Sequence, residues 1–324
     1  MTPMFRRTAI GLCCALALTP ALAQENYPAK PVRIVLPFPP GGSVDAVIRM
    51  IEPGLAERLG QPVIIENKPG AGGNIAMDTV AKAPPDGYVV GIGATGALGL
   101  NSVIGQRMTY DPLKDLAPVG RVATSPFLLV ASPQFKASTV NDVIALGKRS
   151  PSELTIGHGG NGTLMQLSAE LFRNMAGIDA VLVPYKGTGP ATADAAAGQV
   201  PLAISDPPAA LQLIKAGRLK ALGVTTRTRS ESLPDVPTLH EQGLAGYESL
   251  GWFGMVAPAG TPPAVIRRLN NDLNAVLRDP AVRARIAAQG ADAAPSTPAE
   301  LQELMRSDMA KWSALIKKVG LKFD

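Results

Sequence analysis

The chain has 324 residues, of which 46% are hydrophobic, 4% aromatic and 18% charged, with a formal charge of +5. No lysine or arginine run exceeds a pair, and with so few aromatics this excludes the basic stripe and stacking platform of a nucleic-acid binder. A modest positive balance is compatible with a small anionic partner.

Residues 1–23 read as a secretory signal peptide. Arg6 and Arg7 precede an apolar run from about Ala9 to Leu18, which closes on the small-x-small pattern Ala21-Leu22-Ala23. The run falls short of the roughly 20 residues that span a bilayer. Cys13 and Cys14 lack the small residues expected before a lipidated cysteine. Cleavage removes both cysteines, so no disulfide can form after export, and it removes two positive charges, leaving +3. The remaining chain of about 300 residues is long enough for two domains held by their own cores. No later apolar run reaches transmembrane length, so a soluble, exported, periplasmic protein is expected.

Strands and helices then alternate. "PVRIVLPF" reads as a buried strand and Ser43 to Leu59 as a helix with an apolar stripe at Val44, Val47, Ile48, Ile51 and Leu55. Pro53 should kink or split it. "PVIIENK" is a strand, "GGNIAMDTVAKA" a short helix and "YVVGIGA" a third strand. From Phe127 the alternation resumes: strands "FLLVASP", "LTIGHG", "AVLVPYKG", "QVPLAISD" and "LKALGVTT" are separated by helices, the first with Thr139 as N-cap. The segment from Pro262 to Gly320 is amphipathic and helical, and should return to brace the first lobe. This order implies parallel sheets with helices on both faces. It divides into lobe 1 (27–126 plus 252–324) and lobe 2 (127–251), with crossings near Phe127 and Trp252.

Ligands of open parallel sheets sit beyond the carboxyl ends of the strands, where helix N-termini offer free N–H groups. Five loops fit that position. The first, Phe38 to Asp45, carries Pro39, Gly41, Gly42 and Ser43, with Asp45 in the first helical turn. The second, "GATGALG", contains Ala94 and Thr95; the third, His158 to Thr163, contains Gly160 and Asn161. Tyr185 and Gly187 lie in "PYKGTG", and Asp206 opens "DPPA". One such loop is ordinary turn chemistry; five on two lobes suit a cleft. Asp206 could face a ligand or cap a helix, and His158 could touch a ligand or hold its turn. Trp252 suits core or hinge better than a lid.

Enzyme signatures are missing. There is no phosphate-binding G-x-x-x-x-G-K-[ST], no G-x-G-x-x-G after the first strand and no G-x-S-x-G elbow. Only His158 and His240 are present, so zinc sites and histidine-based triads are hard to build. No metal and no cofactor is expected.

The ordered set "PFPPGGSVD", "VIIENKPGAGGNIAMDTVAKAPPDGY", "YDPLKDLAPV", "VPYKG", "LPDVPTLHEQGLAGYE" and "APAGTP" resembles the substrate-binding proteins of the tripartite tricarboxylate transporter family, the Bug proteins, over the whole mature chain. The resemblance implies a two-lobed periplasmic-binding-protein fold, a flytrap of type II-like α/β architecture with mixed, mainly parallel sheets. It implies a small carboxylate or related amide held by backbone N–H groups and water, and delivery to a permease of two integral membrane subunits; a monomer is the natural expectation for a diffusing receptor. Pro39 to Asp45, Asn161-Gly162-Thr163, Tyr185-Lys186-Gly187 and Asp206 match the family pattern. Pro207 stands where many relatives have Asn, and Gln166 where many have His, which suggests a ligand with one polar end and a less polar remainder. Two rivals are a receptor read by a signalling kinase and an exported hydrolase.

Overall fold

The computed structural model describes residues 27–41, 43–150 and 154–323. The expected leader, Gly42 and the side chain of Ser43 lie outside the described residues.

The chain opens with β1 (Val32–Leu36), α1 (Ser43–Leu59), β2 (Val63–Asn67), α2 (Asn74–Ala81), β3 (Val89–Ala94), the short α3 (Asn101–Val103) and β4 (Leu116–Pro126). A second sheet follows directly: β5 (Leu128–Ala131), α4 (Val140–Arg149), β6 (Thr155–His158), α5 (Leu164–Ala176), β7 (Val181–Pro184), α6 (Thr188–Ala197), β8 (Leu202–Ser205), α7 (Pro207–Lys215) and β9 (Lys220–Val224). The chain then returns to the first sheet with β10 (Leu250–Pro258), α8 (Pro263–Leu277), α9 (Pro280–Ala288), β11 (Asp292–Ala293) and α10 (Pro298–Val319). The strand orders are β11-β4-β10-β3-β1-β2 and β7-β6-β8-β5-β9.

β1 is an apolar, branched run interrupted only by Arg33, with helices on both sides, as suits a buried parallel strand. The α1 stripe of Val44, Val47, Ile48, Ile51 and Leu55 is buried, each side chain contributing roughly 1.5–3 kcal/mol. Contrary to expectation, α1 is not split at Pro53. That residue faces solvent, and the stripe on either side of it clamps the helix to the sheet.

The parallel reading holds for β1, β2 and β3 and again for β6, β7 and β8. Elsewhere it needs correction. β10 is antiparallel to β3 and β4, β11 to β4, and β5 to β8 and β9. β4 leaves the first sheet and β10 re-enters it, so the two lie side by side in opposite directions, without a crossover helix between them. Neither carries a clear strand pattern in its sequence. Pro118 and Gly120 interrupt one, and Gly251 and Gly254 dilute the other.

α1 and α8 cover one face of the first sheet, and α2 and α10 the other. α4 and α5 cover one face of the second sheet, and α6 and α7 the other. The C-terminal segment does brace the first sheet: the Asn270 amide on α8 donates to the carbonyls of Val119 and Ser296, both at 2.7 Å. It also reaches further. Leu301 and Met305 of α10 pack on the first sheet, whereas Trp312 and Leu315 pack on Leu167 of α5. Trp252 is core, with its indole N–H donating to Asp308 Oδ2 at 2.6 Å.

Candidate functional site

β7, β6 and β8 are adjacent and parallel, so His158, Pro184 and Ser205 end on the same edge of the second sheet. α5, α6 and α7 start just beyond them; α5 and α6 open with backbone N–H groups that their own helices cannot satisfy, whereas α7 opens with Pro207 and Pro208, which have none. Side chains fill two of these starts. Thr163 Oγ1 accepts from the Gln166 N–H at 3.2 Å, and Asp206 Oδ1 accepts from the Ala209 N–H at 3.0 Å. α6 has no side-chain cap, and its leading N–H groups belong to Thr188 and Gly189. Gly187 before it has φ +105°, a conformation for which glycine is suited, with open space where a Cβ would stand.

The loops hold one another. The Tyr185 N–H donates to the His158 carbonyl at 2.9 Å and the Gly187 N–H to the Gly159 carbonyl at 3.1 Å. Thr188 Oγ1 donates to Asp206 Oδ2 at 2.8 Å, linking the α6 and α7 starts. Thr163 Oγ1 donates to the Gly160 carbonyl at 2.7 Å. The Tyr185 hydroxyl donates to Asp194 Oδ2 at 2.8 Å; burial and that carboxylate push its pKa up, so it stays protonated. His158 is buried, with its Nδ1 3.2 Å from the Gly160 carbonyl and 3.3 Å from the Gly160 backbone nitrogen. Burial pushes its pKa down, which suits a neutral ring holding its turn.

On the first sheet, the β1–α1 loop hangs on a buried carboxylate. Asp45 Oδ2 accepts from the Gly41 N–H at 3.0 Å and from Arg49 Nε at 2.8 Å; Oδ1 accepts from Asn67 Nδ2 at 2.9 Å and from Arg49 Nη2 at 3.1 Å. The Arg49 hydrogen bonds, aided by Gly41 and Asn67, hold the Asp45 pKa down to about 2 against the cost of burial. Asn67 Nδ2 also donates to the Phe38 carbonyl at 2.9 Å. Pro39 is exposed beside that tether. Asp45, expected at the ligand, thus has its oxygens engaged in shaping the loop. Thr95, next to Ala94 at the end of β3, exchanges hydrogen bonds with the Trp252 backbone, its hydroxyl donating at 3.2 Å and accepting at 2.9 Å.

The two sets of loops meet. Gly41 and Ala46 share a cavity of about 360 Å³ with Pro207, Pro208 and Gln289. Asp206 shares a small one of about 50 Å³ with Val47, Phe253 and Ser125. Asn161 and Gln166 line a third, of about 350 Å³, with Gln106 and Phe323. A larger cavity of about 860 Å³, lined by Ser132, Lys136 and Arg149, lies at the opposite end of the second sheet: Ala131 pairs with Leu202 and Leu128 with Ser205, which puts Ser132 beyond the amino end of β8. The helix starts favour the cleft over that cavity.

Arg49, Asn67 and Thr188 escaped the sequence reading. The i,i+4 spacing of Asp45 and Arg49 was a usable signal; nothing local pointed to Asn67 or Thr188. Among the described residues no helix is long and apolar enough to cross a membrane, and no group of three His, Cys, Asp or Glu could hold a metal ion.

Residues 47–321 match the profile described as "Tripartite tricarboxylate transporter family receptor". Protein BugT of Bordetella pertussis is 35% identical to the chain, over 97% of both proteins. Among solved structures, R. palustris Rpa4515 with adipate is 36% identical with a TM-score of 0.75, covering 91% of this chain and 99% of that one. MatC from Rhodopseudomonas palustris, with bound malate, is 33% identical with a TM-score of 0.70, covering 90% and 100%.

Proposed function

The chain belongs to the tripartite tricarboxylate transporter receptor family, and from that premise we propose that it captures a small carboxylate or related amide between its sheets and hands it to a two-subunit membrane permease. The observation that carries this reading is the uncapped start of α6, with the Thr188 and Gly189 N–H groups next to Gly187, tied to the β6 loop through Gly187 and to the β8 loop through Thr188. A carboxylate there meets a helix dipole and preset donors, and the one like charge beside it, Asp206, already has its oxygens on the Thr188 hydroxyl and the Ala209 N–H. The relatives solved with adipate and malate support that ligand class.

In this reading, 27–126 plus 252–324 and 127–251 are the two lobes, and they close on the ligand as a monomer. Closure excludes water and strengthens the backbone hydrogen bonds, and ligand shifts the equilibrium by its preference for the closed form. In this reading Gly160, Asn161, Thr163, Tyr185, Gly187 and Asp206 supply the second-sheet side of the ligand site, and Phe38, Gly41, Ala94 and Thr95 the first-sheet side. Residues 1–23 direct export and are removed, so the receptor works in the periplasm.

A thermal-shift screen of ligand-free protein against malate, adipate, other mono-, di- and tricarboxylates, and amides tests the proposal. Ligand at ~100 times its Kd adds about 2.7 kcal/mol, a clear rise in Tm. A flat screen on protein shown to be ligand-free overturns the carboxylate reading.

A further inference from the structure

Two seams join the sheets, and they differ in kind. One is the apolar packing of Trp312 and Leu315 on Leu167. The other lies at the turn between α9 and β11. Gly290 is buried there at φ +77°, and a Cβ built on it would stand 2.6 Å from Pro207 Cβ. Pro207 belongs to the loop that carries Asp206 and is itself buried. Two residues on, Asp292 Oδ2 accepts from the Ser230 hydroxyl at 2.7 Å and Oδ1 from the Ser232 N–H at 3.2 Å. Arg283 of α9 pairs with Glu231 in that same loop. The 230–236 segment packs in the core of the second sheet through Leu233 and Val236, so these contacts run from one sheet to the other.

We propose that this turn is a clasp for the closed form: Gly290 seats Pro207, and Asp292 holds Ser230 and Ser232, so that closing the cleft and making these contacts are one event. The proposal rests on the closing-receptor reading above. It gives Pro207 a task in place of the N–H donor it lacks: its ring fits the space left by an absent side chain on the facing lobe. The Asp206 loop is thereby positioned by the first lobe as well as by Thr188. The seat has no room for growth, because any Cβ at 290 meets the ring, whereas the polar half can part by exchanging Ser230 and Ser232 for water. An apolar seam that stays packed and a second seam that separates make a hinge with a defined axis.

The test places spin labels at exposed Glu57→Cys and Lys215→Cys, with Cys13 and Cys14 replaced by serine, and reads interlobe distances by pulsed electron resonance without ligand. Gly290→Ala should lower the closed-to-open ratio by roughly fivefold or more, the effect of forcing a methyl group into filled space. Adding Pro207→Gly to Gly290→Ala should restore the closed distances. That rescue separates the seat from backbone strain at φ +77°, which both variants share. Should Gly290→Ala fail to fold, Pro207→Gly and Asp292→Ala read the same ratio without strain at 290, and both should lower it. Folded variants that keep the parent distances, or a double variant that stays open, overturn the clasp. The distances need no ligand, so a protein that ignores every carboxylate still decides this question. One that binds malate or adipate with distances unmoved by Gly290→Ala refutes the clasp alone.

Discussion

Replacing Asp45 with asparagine tests how the first loop is held. The carboxylate is 2% exposed and accepts four hydrogen bonds, from Gly41, Asn67 and twice from Arg49. An asparagine side chain offers one acceptor oxygen and must turn its NH2 toward donors. The native carboxyl is held from 3.8 down to about 2. At 1.36 kcal/mol per unit this is worth roughly 2 kcal/mol, the lower side of the arithmetic being apt because Arg49 is half exposed to water. The native pKa is depressed, so the stabilisation is complete above the ordinary carboxylate value and disappears as the pH falls from 3.8 through about 2. Urea unfolding of the parent and Asp45→Asn should therefore differ by about 2 kcal/mol at pH 7, and the gap should narrow steadily below pH 4. Equal stabilities at pH 7, or a gap that persists unchanged at pH 2, refute the reasoning.

Other substitutions probe the remaining links. Leu167→Ala empties part of the dry seam under Trp312 and should cost about 2–5 kcal/mol by denaturant unfolding. Trp252→Phe removes the indole donor from Asp308 Oδ2, leaving Lys311 on Oδ1, and should cost about 1–3 kcal/mol in the same assay. Gly187→Ala meets no atom within 4 Å, so its cost of about 1–3 kcal/mol is conformational and should appear as a lower Tm. Thr188→Val frees Asp206 Oδ2 and should weaken, by calorimetry, the binding of whichever carboxylate raises the Tm of the parent.

Local periodicity made much of this fold legible. The stripe on α1, Thr139 capping α4 and the strand-to-helix loops of the second sheet all follow from spacing and capping chemistry within a few residues. Asp206 as a helix cap was one of two readings its position allowed, and the structure shows that cap. What escaped depends on partners far along the chain. β10 is a strand because β3 and β4 flank it, not because its glycine-rich sequence favours one. Asn67 matters because β2 pairs with β1 and so sets its amide beside Phe38 and Asp45, 29 and 22 residues away. The seat of Pro207 on Gly290 joins residues from two sheets, and neither residue's neighbours in sequence announce it.

In the proposed function, backbone N–H groups beyond the ends of β6 and β7 take the carboxylate. The most direct test is an amide chemical-shift titration of the ligand-free protein with the best carboxylate from the thermal screen. The largest shifts should fall at Thr188 and Gly189, with Asn161 and Gly41 moving as the cleft closes. Shifts gathered instead around Ser132, Lys136 and Arg149, at the far end of the second sheet, would contradict it.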